Sequence, residues 1–166
     1  MSLISGCASS TPEEANVDGF WCYAPVLERF KPVMFDPYEG DPGKLFAQVP
    51  YVSEWHGKLS GSSIDYGLLV AHVLDSEGSS APMAFVGTST FAEANVDGKV
   101  GSLELDAIGD RPGPTDDWVG TLVVTGGSGE LENLTMKADW WGPGFPPAEG
   151  GTDECGDMGL IYYSVE

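Results

Sequence analysis

The sequence predicts an all-β protein: an antiparallel, mostly meandering eight-stranded barrel with little helix. Three observations carry that expectation. Among the 166 residues there are 23 Gly and 12 Pro, which cut the chain into short segments and leave no room for long helices. Apolar residues make up 42%, enough for a core in one domain of this length. Short runs alternate apolar and polar residues at period 2, with turn residues between them.

In chain order, Phe20 to Ala24 opens the domain. Val26 to Phe35 carries two Pro boundaries and is ambiguous, and Asp36 to Gly43 reads as a loop. Leu45 to Val49 fits a short strand or one helical turn. Val52 to Ser60 alternates, with Trp55, Gly57 and Leu59 on one face and Glu54, His56 and Lys58 on the other. Ile64 to Leu74 is a long strand, and Met83 to Ala92 follows a Ser/Gly/Glu turn. Asn95-Val96-Asp97-Gly98 is a strong hairpin signal, because a type I′ turn needs positive φ at both central residues. Val100 to Ile108 and Trp118 to Thr125 flank the Asp110–Asp117 loop. Leu131 and Leu134 suit one helical turn after Gly126-Gly127-Ser128-Gly129. Met136 to Trp141 and Leu160 to Val165 are the last strands, joined by a long Pro/Gly/acid loop, Gly142 to Gly156. A meander of this kind closes on itself to remove its edges or stacks as two sheets, and eight strands enclose a lumen that side chains fill or that holds one small ligand. One feature has no account: Glu14 to Gly19 recurs, residue for residue, as Glu93 to Gly98.

The charge excludes partners. With 26 acidic residues against 7 basic, the formal net charge is −19. A nucleic-acid backbone is not the natural partner, and neither is an anionic lipid surface. A soluble, self-repelling surface is the simplest reading. The acidic stretches Asp36 to Asp41 and Asp153 to Asp157 are calcium candidates without EF-hand spacing. No cofactor or other metal is expected: there is no CxxC, and the only histidines are His56 and His72.

Ile4-Ser5-Gly6-Cys7 resembles the bacterial lipobox, which implies lipidation of Cys7. The basic and apolar regions of a full signal peptide are missing before it, so residues 1–19 read as a truncated lipoprotein signal region or a disordered tether. Residues 20–166 then form the barrel domain. The expected setting is export, to the cell envelope or secreted, with membrane contact only through a lipid anchor. Cys22 and Cys155 remain as a disulfide candidate pair near the ends of the domain, the alternative being two buried thiols.

The run from Phe85 to Gly142 resembles the allene-oxide-cyclase-like barrel group, which includes dirigent proteins and uncharacterised bacterial families. The matching pieces are Phe85-Val86-Gly87, Gly98 to Leu103, Trp118 to Leu122 and Gly127 to Leu131, with Leu160 to Tyr163 like the group's final strand. The resemblance implies an allene-oxide-cyclase-like or lipocalin-like barrel in which Gly129-Glu130-Leu131 is a structural turn. It places no catalytic residue, since its motifs are turn glycines and packing positions.

Candidate chemistry is sparse. No hydrolase elbow or phosphate loop is present. His56 and His72, on neighbouring strands, are a candidate pair, and Glu54 or Asp65 would gain a raised pKa if aimed into an apolar lumen. The aromatics say more. The lumen candidates are Trp55, Tyr66, Trp118, Met136, Trp140 and Tyr162, with Trp141 on the outer face or forming a sugar platform with Trp21. Three functions stay open: a lumen binder of a small apolar or aromatic ligand, a cyclase or isomerase working by templating, and a structural module with a filled barrel. A lumen of roughly 300 Å³ or more with aromatic walls favours the first two, and a filled lumen would sink both.

Overall fold

The computed structural model describes residues 16–26, 31–35, 44–73, 80–113, 116–144, 152 and 154–166, with the side chains of 31–35, 44–45, 72–73 and 80–81 excepted. Cys7, Asp36 to Asp41 and most of the tether lie outside the described residues.

Nine strands are described: β1 (Gly19–Pro25), β2 (Lys31–Phe35), β3 (Lys44–Gly57), β4 (Leu59–Val73), β5 (Ser80–Val96), β6 (Lys99–Arg111), β7 (Trp118–Gly127), β8 (Lys137–Gly144) and β9 (Gly159–Val165). Each of β3 to β9 pairs antiparallel with its sequence neighbour, and β1 pairs with both β9 and β3. Eight strands therefore close as an antiparallel barrel, and closure removes the free edges that a sheet of this length would expose. β2 is the ninth. It pairs with residues Lys44 to Gln48 of β3, beyond the stretch that β1 covers, so β1 and β2 run end to end along one strand.

Two boundaries differ from the sequence reading. Val52 to Ser60 is not one strand: Gly57, at φ +105°, and Lys58 turn the chain, and β4 starts at Leu59. Leu45 to Val49 belongs to the same long β3. The β5–β6 turn is as expected, with Asp97 and Gly98 both at positive φ and the Gly98 N–H donating to Asn95 Oδ1 at 2.9 Å.

One end of the barrel is sealed. The Gly129–Leu131 segment forms a single 3-10 turn, and Leu131 is fully buried with Leu59, Val96, Leu103 and Phe91. The turn lies against backbone: a Cβ on Gly101 would come 1.9 Å from the Ser128 carbonyl oxygen, and one on Gly127 would come 2.4 Å from that of Leu131. Tyr163 of β9 completes the seal. Its hydroxyl accepts the Leu59 N–H at 2.8 Å and lies 3.1 Å and 3.2 Å from the Leu59 and His56 carbonyl oxygens.

The repeated segment brackets the same end. The Lys58 N–H donates to the Asp18 carbonyl, and the Lys58 carbonyl accepts the Asp97 N–H, so both copies flank the β3–β4 turn. Their structures differ: Gly19 begins β1, whereas Gly98 completes a hairpin turn.

Outside the wall, Cys22 and Cys155 are joined by a disulfide, 133 residues apart in sequence. It packs with Leu160, Phe20, Met158 and Tyr162 as a second apolar cluster along the β1–β9 seam.

Candidate functional site

The lumen is walled by aromatic rings because period 2 aims alternate residues of each strand inward. Trp21 and Trp55 are directly opposite on β1 and β3 and stack at 4.3 Å between ring centroids. Trp140 meets Trp21 edge to face at 6.0 Å. Toward the opposite end Tyr23 meets Tyr51 at 5.4 Å, and Tyr51 meets Phe85 at 6.4 Å.

Glycine pairs make room for two of these rings. Gly67 and Gly87 are cross-strand partners, and a Cβ on either would fall within 2.5 Å of the Phe85 ring. Gly109 and Gly120 are likewise partners, and a Cβ on either would fall within 2.3 Å of the Trp140 ring. Gly67, Gly87 and Gly120 fall within strands that the sequence predicts, with no role assigned to them there. They are mid-strand positions where a large ring lies on bare backbone.

What remains is a cavity of about 90 Å³. All eight barrel strands contribute to its lining. The volume is well short of the roughly 300 Å³ of a drug-sized site, since the rings fill most of the barrel. It equals about three water volumes at roughly 30 Å³ each.

One carboxylate faces this apolar space. Asp65 of β4 is buried and lines the cavity, and among the described lining residues it is the only formally charged group. Ser53 Oγ donates to its Oδ2, and Ser63 Oγ donates to its Oδ1 at 2.6 Å. Ser89 adds a third hydrogen bond. Trp55 Nε1 in turn donates to Ser63 Oγ at 2.9 Å, so the floor of the pocket and the carboxylate share one chain of bonds. Burial pushes the Asp65 carboxyl above its usual range, and the three serines pull the other way without cancelling it. Burial, with the Asp65 charge adding, pushes the neighbouring Tyr51 phenol up to about 12. Among the described residues the two ion pairs are Lys58–Asp97 and Lys137–Glu166, neither of which involves Asp65.

The lumen candidates divide. Trp55, Trp118 and Trp140 line the cavity. Met136 is buried in the core but does not reach the cavity. Tyr66 points outward and is 57% exposed, because its neighbour Asp65 takes the inward position. Tyr162 also points outward, onto the disulfide cluster, because Tyr163 is the inward residue. No Trp21–Trp141 sugar platform forms: Trp21 faces inward, and Trp141 lies outside against Tyr162.

Glu54 is exposed and accepts from Ser62, and His56 stacks on Phe20 outside the barrel at 4.8 Å. The two histidines do not meet. His56 lies near the β3–β4 turn, whereas His72 pairs with Lys44 at the far end of the same hairpin. Trp140 Nε1 is the buried side-chain donor with no partner among the described residues. Among those residues no group of three or more His, Cys, Asp and Glu side chains forms a metal-ligand set.

Sequence reasoning had raised Asp65 without choosing it over Glu54. A signal was present: Ser53, Ser63, Asp65 and Ser89 are polar residues at the inward parity of strands whose other inward residues are mostly apolar side chains or glycine.

Fold and site together define a closed β-barrel with an aromatic lumen and one buried carboxylate. Comparison with protein-family models, curated proteins and solved structures gives no match.

Proposed function

We propose that this barrel binds a small molecule in its lumen. The observation that carries the reading is the Asp65 carboxylate, buried against a cavity that all eight strands line, mostly with aromatic and other apolar residues; the cavity volume of about 90 Å³ falls short of the roughly 300 Å³ of a drug-sized site. A barrel kept only for its shape gains nothing from a buried acid, which costs stability unless fully compensated. The size limits the ligand to a few heavy atoms. The Cys22–Cys155 disulfide supports an exported setting, where such bonds persist. The eight-stranded closure supports the likeness to allene-oxide-cyclase-like barrels in shape alone.

A second reading, favoured by Asp65, is a cyclase or isomerase in which the rings impose a substrate conformation and the raised carboxyl donates a proton.

Native mass spectrometry of protein purified from its own host tests the binder reading. A co-purifying small molecule, displaced when the inward face is blocked by Ala107→Trp, supports it. An unliganded protein that no small-molecule panel stabilises against heat overturns it in favour of the filled structural barrel.

A further inference from the structure

Resting on the lumen-binding reading, we propose that the ligand is a small organic cation, an ammonium or methylated ammonium group held between the aromatic rings and the Asp65 carboxylate. Four observations lead there.

First, six aromatic rings surround one small space: Trp21, Tyr51, Trp55, Phe85, Trp118 and Trp140 all line it. Aromatic faces carry negative quadrupole potential, and a desolvated cation is the ligand that gains most from them. Second, Asp65 sits halfway down this wall. Its register partners are Tyr51 on β3 and Ser89 on β5, and the Trp21–Trp55 stack lines the same cavity. Third, the carboxylate is short of positive charge. A carboxylate offers about four acceptor sites, and three serine hydroxyls occupy three of them. No Lys or Arg among the described residues pairs with it. Among the described residues the Arg111 guanidinium acts on Tyr23 and donates its Nε–H to the Asp116 carbonyl. Fourth, the chain carries a net charge of −19, which concentrates cations around the molecule and repels anionic ligands.

An apolar ligand would satisfy the rings and leave the carboxylate uncompensated. An anion would meet Asp65 as a like charge. A cation completes both, and the volume suits the range from methylammonium to tetramethylammonium.

The test is selectivity between ligands of one shape. Choline and its neutral carbon isostere 3,3-dimethylbutan-1-ol are titrated into the full chain by calorimetry, with tryptophan fluorescence as the second readout. Methylammonium and tetramethylammonium chlorides extend the series. The expected result is saturable binding of the cations at least tenfold tighter than the neutral isostere. That preference should survive 0.5 M NaCl, because a buried contact is screened less than a surface one. Asp65→Asn should lose the tenfold preference and keep its affinity for the isostere, with near-UV circular dichroism reporting its fold. Should that variant not fold, wild type alone decides. Its cation affinity is expected to rise with pH as Asp65 ionises, while isostere affinity stays flat. Tyr51 and Tyr23, the other titratable groups facing Asp65, hold their protons throughout that range.

Equal or better binding of the isostere overturns the cation assignment and leaves the lumen-binding reading standing. A cation signal abolished by salt also overturns it. Failure of every probe, charged and neutral, overturns the lumen-binding reading itself.

Discussion

Replacing Tyr163 with Phe removes one oxygen atom and keeps the ring. The side chain is fully buried, and its hydroxyl is the link between β9 and the start of β4 across the sealed end. Phe preserves the packing volume, so no cavity term enters. What is lost is the acceptor of the Leu59 N–H, at 2.8 Å, beside a Leu59 side chain that is itself fully buried. A buried donor left unsatisfied costs about 1–3 kcal/mol. Taking about 2 kcal/mol, the melting temperature of a domain this size falls by roughly 4–8 °C. With a urea m-value of about 2 kcal/mol/M, the midpoint falls by about 1 M. Urea unfolding followed by tryptophan fluorescence measures it, with m expected unchanged. A second arm uses pH. Burial pushes the Tyr163 phenol up to about 12, with Asp18 and Asp97 adding to the rise and the Leu59 hydrogen bond opposing it. From pH 10 to about 12 the folded state keeps a proton that the unfolded chain releases, so wild-type stability falls across that window. The Phe variant has no such titration, and the gap between the two proteins narrows above pH 10. A loss below roughly 0.5 kcal/mol at neutral pH, or a gap that widens in alkali, refutes the assignment of this hydroxyl as the clasp of the barrel end.

Other expectations follow from the same contacts. Cys22→Ser with Cys155→Ser releases a crosslink spanning 133 residues, worth about 5 kcal/mol by the loop-closure relation; denaturant midpoints against wild type read it, and a loss under about 1 kcal/mol contradicts the entropic account. A free-thiol count on denatured, unreduced protein should exclude Cys22 and Cys155. Gly120→Ala places a Cβ 2.2 Å from the Ile108 carbonyl oxygen and 2.3 Å from the Trp140 ring, so a loss of at least about 1–3 kcal/mol is expected, with altered near-UV dichroism. Unchanged stability would mean that the ring does not lie on that glycine pair. Asp65 has a raised folded pKa, so its contribution is fully present below 3.8, the unfolded value, and is lost as pH rises through the folded one. Relative to Asp65→Asn, wild type should therefore lose stability as pH rises from 4 toward neutrality. A relative gain over that range argues for a carboxylate already compensated by its serines.

Much of the barrel was legible locally. Alternation placed Trp55, Trp118 and Trp140 inward and Glu54, His56 and Trp141 outward, and Asp97-Gly98 announced its turn. The β3–β4 turn was not legible. Gly57-Lys58 lacks the Asn-Gly or Asp-Gly signature, and Leu59 continues the inward alternation on its far side. Tyr66 and Tyr162 were misread because each has an inward-capable neighbour, Asp65 and Tyr163, and aromatic character outweighed parity in choosing between them. Parity with Ser53, Ser63 and Ser89 was the better guide.

The sequence by itself determined the alternation of faces along each strand and that many strands must close upon themselves or stack as two sheets. Period 2 and turn chemistry act over a few residues and need no partner. The tertiary structure alone decided how much space closure leaves. That depends on cross-strand pairs such as Gly67–Gly87 and Gly109–Gly120, which let Phe85 and Trp140 lie flat on the wall. It also decided that three serines from three strands converge on Asp65, and that Cys22 meets Cys155 across the β1–β9 seam. Register and closure are non-local, fixed only when strands far apart in the chain pair. The barrel was therefore readable in the residues, while the charged pocket within it appears only once they are assembled.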